Sequence, residues 1–281
     1  MSTSESGTFK RDTRYLDGRI TVDGRDGWPV RPGTYRLVVA RGCPWANRTM
    51  IVRRLLGLEP VLSMGICGPE HDSRSWTFDL DPGGVDPVLG IHWLREAYEK
   101  AVPGYDRGVT VPAIVDIPTG AVVTADFPRI TLDMEQEWTA YHRPGAPDLY
   151  PAPLRDEIEE VSAHVYQDVN NGVYRCGFAT TQDAYDAAYA TLFAGLDWLE
   201  QRLAGRRYLV GDTIDFVQTK QHYYRVHANL NPGKIVPAGP DLSGWLTPHG
   251  REALGGRPFG DGTPPGPPPA AERVAPGHGA G

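Results

Sequence analysis

A short apolar run, Tyr35-Arg36-Leu37-Val38-Val39, leads into Cys43-Pro44-Trp45-Ala46, which heads a stretch of helical spacing to about Gly57. A strand that turns at once into a helix start commits this part of the chain to an α/β layer. It also places a thiol where unpaired helix N–H groups and their partial positive charge converge. That field favours the thiolate and makes a cysteine reactive. Pro44 suits the first helical position, where its missing N–H costs nothing. A lone cysteine is often no more than a small buried hydrophobe, but its position at this junction favours a functional thiol.

Composition narrows the remaining possibilities. The chain has 281 residues, enough for one large or two ordinary domains, and 40% are hydrophobic, enough for a sizeable core. Its net charge is −7 with no Lys/Arg block, which argues against nucleic-acid binding. No apolar stretch approaches the length of a membrane span, and Met1-Ser2-Thr3-Ser4-Glu5-Ser6 is too polar for a signal-peptide core. Three widely spaced cysteines, Cys43, Cys67 and Cys176, do not form a disulfide framework, so a reducing cytoplasm is expected. His222 and His227 have no carboxylate or cysteine cluster beside them, and no metal site is expected.

Residues 1–33 are polar and rich in Gly and Pro, and read as an arm. Residues 34–139 alternate strand and helix patterns. Strands are expected at 35–39, 60–64, 109–115 and 121–124, and helices at 44–56, 88–100 and 127–138. The order β-α-β…α-β-β-α is that of a thioredoxin-like domain. Residues 140–254 read as a helical domain, the chain turning helical from Pro153 with segments at 154–170 and 181–203. The second segment carries Tyr185, Ala188, Leu192, Leu196, Leu199 and Leu203 on one stripe. Thr180 and Asp183 suit its start and Gly205 its end. Residues 255–281 are dominated by Gly, Pro and Ala and are expected to be disordered.

Several motifs together resemble the glutathionyl-hydroquinone reductases, the omega-like xi class of the glutathione transferase superfamily. They are Cys43-Pro44-Trp45-Ala46, Trp76-Thr77-Phe78, Thr110-Val111-Pro112, Asp148-Leu149-Tyr150-Pro151, the run from Val169-Asn170-Asn171-Gly172 through Tyr174 to Phe178, His222-Tyr223-Tyr224, and Asn231-Pro232 with Ile235-Val236-Pro237. The resemblance covers roughly residues 30 to 245. It implies a thioredoxin-like domain followed by a helical glutathione-transferase domain, assembled as a homodimer. It also implies a reaction in which the Cys43 thiolate attacks the sulfur of a glutathionylated hydroquinone. A mixed disulfide forms, and a second glutathione, the co-substrate, resolves it. Ala46 stands where a dithiol enzyme has its second cysteine, so the resolving thiol must come from outside. The departing aromatic carbon needs a proton, and a tyrosine hydroxyl can supply it. The resemblance assigns Tyr174 and Tyr224 to catalysis and Tyr223 to the aromatic substrate. It assigns Trp45, Trp76, Val111, Pro112 and Asp126 to the thiol, with Val111-Pro112 as the cis-proline corner whose backbone pairs with it. Cys67 and Cys176 read as structural. Omega-like thioltransferase work is a near variant of this activity.

The chain departs from the family pattern in three places. Thr124-Ala125-Asp126-Phe127 stands where the family has Asn-Glu-Ser-Ser. Asp126 can replace the Glu, but Phe127 cannot donate the serine hydrogen bond, so another small thiol such as mycothiol could take the place of glutathione. Asn47 replaces the usual His, which leaves the helix terminus to stabilise the thiolate. Gly211-Asp212-Thr213-Ile214 runs directly into Asp215-Phe216-Val217, so the helical domain is shortened after 214. Loss of those helices is expected to bare the leucine stripe and loosen this domain. On that ground the alternative is a catalytically impaired thiol-binding or interaction protein.

Overall fold

A computed structural model describes residues 2–3, 7–68 and 72–212. The strand before the cysteine, β1 (Tyr35–Ala40), is buried along its whole length, as an inner strand covered on both faces must be. It runs parallel to β2 (Ser63–Cys67), with Val38 opposite Gly65, and antiparallel to β3 (Ala113–Asp116), with Val38 opposite Ala113. The antiparallel β4 (Val122–Thr124) completes the order β2-β1-β3-β4. Helix α1 (Pro44–Leu56) packs on β1 and on α3 (Phe127–Gln136), while α2 (Leu94–Ala101) packs on β4. This is the expected thioredoxin-like arrangement. Its core gathers Leu37, Val39, Leu56, Phe78, Leu94 and Trp138.

Helix α1 stops where the sequence suggested. Gly57 adopts φ 74° and the Leu58 N–H reaches back to the Arg53 carbonyl at 2.9 Å, a left-handed cap suited to glycine. Several boundaries differ from the sequence reading. The second strand begins at Ser63 because residues 58–62 form a turn, with Leu62 N bonded to Leu58 O at 2.9 Å. The third begins only after Pro112, which has no N–H to give a ladder. Thr110, expected in that strand, is instead tied to the Tyr98 hydroxyl, which donates to its carbonyl at 2.9 Å. Residues 88–93 are not helical. Asp86 draws Val88 N and Leu89 N onto its carboxylate, so the apolar residues there line a loop. Helix α2 starts after Trp93, whose N–H bonds to Glu96.

The helical half begins with α4 (Arg155–His164). It continues as a π-turn (Val165–Asn170), so the segment expected over 154–170 is helical but changes winding after His164, and a further short helix, α5 (Gly172–Gly177), follows it. Helix α6 (Gln182–Leu203) is capped by Thr181, not Thr180, with the hydroxyl accepting from Ala184 N at 3.3 Å. Its glycine lets the π-turn approach closely: a Cβ on Gly195 would lie 3.0 Å from the Val169 side chain. The stripe Leu192, Leu196, Leu199 and Leu203 is not bare. It packs with Ile158 and Val161 of α4 and with Leu209 and Val210 in a second cluster. Tyr223, Tyr224, the junction after 214 and the tail from 255 lie outside the described residues.

The arm spans both halves. Its residue Leu16 accepts from Ala125 N at 2.7 Å, and Asp17 forms a bridge with Thr124 at the sheet edge. Further back, the Gly7 carbonyl accepts from Thr180 N at 3.0 Å.

Glu135, on the buried face of α3, accepts from Leu149 N at 3.2 Å beside Asp148. Burial first, and then the Asp148 carboxylate, push its pKa up to about 7. The folded chain therefore keeps a proton that the unfolded chain loses above the ordinary carboxyl range. This contribution to stability is full below that range and declines as pH rises towards 7. Relative to Glu135→Gln, the unaltered chain should lose about 1–3 kcal/mol between pH 5 and pH 8. Urea midpoints of the pair at the two pH values measure this, and parallel behaviour contradicts it.

Candidate active site

Cys43 is the N-cap residue of α1, with extended backbone (φ −93°, ψ 118°) and Pro44 directly after it. Its side chain is half-buried, and its thiol donates to the Val111 carbonyl at 3.3 Å. Val111 precedes Pro112 across a cis peptide bond. Three features named from the sequence, the thiol, the helix start and the Val-Pro corner, thus meet within hydrogen-bonding distance. The Val111 carbonyl that holds the resting thiol is also a backbone acceptor that an incoming peptide N–H could take.

Two residues past Pro44, Ala46 is buried and Trp45 is only 4% exposed. The Trp45 indole donates from Nε1 to the Tyr174 hydroxyl at 2.9 Å. This bond occupies an oxygen lone pair and not the phenolic proton. It brings a tyrosine of α5 to the first turn of α1, so the thioredoxin-like and helical halves share one site. Trp45 also packs on Phe127, with ring centroids 4.0 Å apart, and on Tyr166 at 5.8 Å. Phe127 therefore does what no serine could do at that position, forming one wall of an aromatic cluster.

The arm closes this cluster. The Arg11 guanidinium lies 4.2 Å from the Tyr174 ring centroid, 5.1 Å from that of Trp45 and 5.7 Å from that of Phe9. Its Nε donates to Asn171 Oδ1 at 2.8 Å. Tyr15 packs edge-on against Phe127 at 5.7 Å, and burial pushes its pKa up to about 12 against the opposing pull of Arg11. Arg11, Tyr15 and Tyr166 were not singled out in the sequence. The only signal was Phe9, Arg11 and Tyr15 interleaving aromatic and basic groups in an otherwise unpatterned arm.

Asp126 is the N-cap of α3 and accepts from Arg129 N at 3.5 Å. Burial raises its pKa above the ordinary carboxylate value. It lines a cleft of about 520 Å³ together with Phe127, Arg129, Arg48, Tyr166 and Asn170. Cys43 and Trp45 do not line this cleft, but Phe127 belongs to its wall and packs on Trp45. Asn170 is 4% exposed, and its Oδ1 has no hydrogen-bond partner among the described residues. A buried acceptor in this state can take a donor from water or from a ligand. Trp76 is half-buried and packs on the main core, its carbonyl accepting from Leu94 N at 3.0 Å.

Burial pushes the pKa of Cys67 far up and that of Cys176 to about 11, so both stay protonated near neutral pH. Among the described residues no cluster of three metal-ligating side chains occurs, and no helix is long and apolar enough to cross a membrane.

No family model matches the chain. Its sequence is 32% identical to a glutathionyl-hydroquinone reductase, PcpF of Sphingobium chlorophenolicum, over 295 aligned positions covering 84% of this chain and 91% of that protein. The chain belongs to the glutathionyl-hydroquinone reductases. Like them, it is an enzyme of the glutathione transferase superfamily. A solved glutathione transferase from Gordonia bronchialis is 59% identical to this reductase family member, with a TM-score of 0.70 over 91% of this chain and 96% of its own. The glutathione-bound structure of YqjG from Escherichia coli K-12 is 30% identical, with a TM-score of 0.68 over 85% and 96% of the two chains. The PcpF alignment has more positions than this chain has residues, so part of that reductase has no counterpart here.

Proposed function

We propose that this chain removes glutathione from glutathionyl-hydroquinones through a mixed disulfide on Cys43. In the first step the Cys43 thiolate attacks the conjugate's sulfur. The S–S bond forms, the aryl C–S bond breaks, and its electron pair passes to the ring carbon. That carbon takes a proton from Tyr174, and hydroquinone leaves. In the second step a glutathione thiolate attacks the Cys43 mixed disulfide and departs as oxidised glutathione. The proton that this glutathione lost restores Tyr174. The ring carbon is reduced and two sulfurs are oxidised, so the electrons balance without any further redox group. Tyr223 and Tyr224 keep their roles towards the aromatic substrate in this reading, and the working form is a cytoplasmic homodimer.

The observation that carries this reading is the junction of Cys43 with Val111 and of Trp45 with Tyr174. In this reading Cys43 and Trp45, on either side of Pro44, bring together a nucleophile at a helix start, a backbone acceptor for a peptide thiol and a proton donor. Trp45, Trp76, Val111, Pro112 and Asp126 would hold the thiol, with its amino end towards the cleft that Asp126 shares with Asn170. One observation favours a second thiol. Phe127, at the serine position, is 5% exposed and packed on Trp45, with no hydroxyl to offer. Mycothiol, with a different end group, is therefore the rival co-substrate.

Intact-mass measurement during a single turnover tests the reading. The purified chain with a glutathionylated menadione or benzoquinone conjugate should gain one glutathione on Cys43 as hydroquinone appears, and added glutathione should release it. An adduct without hydroquinone supports an impaired thiol-binding protein instead. Faster release by mycothiol than by glutathione supports the rival thiol.

A further inference from the structure

We propose that Arg11 of the N-terminal arm is a positioning residue for Tyr174. Its cation over the phenol ring orients the hydroxyl and balances the negative charge left on the oxygen when the proton moves to the substrate's ring carbon. This rests on the reading of Tyr174 as proton donor.

The geometry is that of a clamp. The guanidinium sits 4.2 Å from the Tyr174 ring centroid and within cation–π range of Trp45 and Phe9 as well. It is anchored through Nε to Asn171, on the turn that opens the helix carrying Tyr174. Among the described residues its buried Nη2 has no hydrogen-bond partner. Among the described residues no carboxylate forms an ion pair with Arg11, so its charge is not spent on an acid. Trp45 meanwhile fixes the Tyr174 oxygen by donating to it. A phenolate formed there has an indole N–H on its oxygen and a cation at its ring, both in place before the proton leaves. Stabilisation of developing charge depends on such preorganisation. After the second thiol gives up its proton, the phenol is restored and no net charge accumulates.

The other ionisable groups of the cluster come from separate elements. Tyr15 lies on the arm, Cys43 at the start of α1, Asp126 at the start of α3, and Tyr166 in the π-turn. Arg175, next to Tyr174 in sequence, turns its guanidinium to the Gln167 carbonyl at 2.6 Å.

Three variants of the full chain test the role: Arg11→Met, Arg11→Lys and Tyr174→Phe. Turnover of a glutathionylated hydroquinone should fall about tenfold in Arg11→Met, with KM for the conjugate little changed. The basic limb of its kcat profile should move up by about one pH unit, because an uncompensated phenolate forms less readily. Arg11→Lys should recover most of the rate and return the limb towards its original place. The phenolate absorbance of Tyr174, obtained by subtracting the titration of Tyr174→Phe in each background, should move in the same direction without any turnover. An unmoved phenolate signal in Arg11→Met overturns the proposal. So does a loss shared equally by Met and Lys that follows a fall in Tm. If the unaltered chain turns over no conjugate, the proposed function fails, while the absorbance titration still decides the role of Arg11.

Discussion

Cys43→Ser is expected to lose hydroquinone release by at least about 10³-fold while keeping its fold. The substitution keeps the size of the side chain and a hydroxyl able to donate to the Val111 carbonyl, the bond made by the native thiol at 3.3 Å. It removes the ionisable sulfur. A hydroxyl at the same helix start does not ionise near neutral pH and cannot form a disulfide. Changes at Cys67 or Cys176 should leave the chemistry intact, since burial keeps those thiols protonated. Rates of the three single serine variants, taken with their melting curves, check the assignment. Full activity in Cys43→Ser, or its loss in either of the others without loss of fold, refutes it.

The second large effect is structural. Asp86→Ala should destabilise the fold by about 3–5 kcal/mol, much of what a domain has to lose. Asp86 is completely buried and Arg36, on β1, is 6% exposed. Oδ2 accepts from Arg36 Nε at 2.9 Å and from Nη2 at 2.8 Å, while Oδ1 accepts from Val88 N and Leu89 N. Truncation strands a guanidinium under the sheet and releases two loop N–H groups together. Replacing both partners by apolar residues, Arg36→Met with Asp86→Leu, should recover a large part of the loss, because no charge is then left buried. Guanidinium-chloride unfolding of the single and double variants measures this. A single variant within about 1 kcal/mol of the parent refutes it.

The local features of the site were legible in the sequence because they depend on neighbours along the chain. A fully apolar strand, a cysteine and a proline at a helix start fix Cys43 without tertiary information, and Val111-Pro112 came to the thiol as the family motif implies. Boundaries were misread where a polar side chain outcompetes periodicity. Val88, Leu89 and Ile91 have helical spacing, yet Asp86 claims two of the N–H groups that a helix would use. The Trp45–Tyr174 bond joins residues far apart in sequence, so no window of the chain contains it. Arg11 and Tyr15 were hidden for the same reason. The arm has no apolar period of its own; Phe9 and Ile20 are buried against the rest of the chain, and its order comes from such contacts and from partners at Thr124, Ala125, Asn171 and Thr180.

That bridging arm sets an order of events during synthesis. Residues near the N-terminus leave the ribosome first, but Arg11 reaches its anchor Asn171 only after 160 more positions have been added. The sheet and its helices can form from contacts already available, whereas closing so long a loop must wait and costs chain entropy. The nascent thiol is therefore in place before the cation and the phenol that accompany it. Competence to process a conjugate should arrive as the last event of folding, when the first residues made are drawn back across both halves.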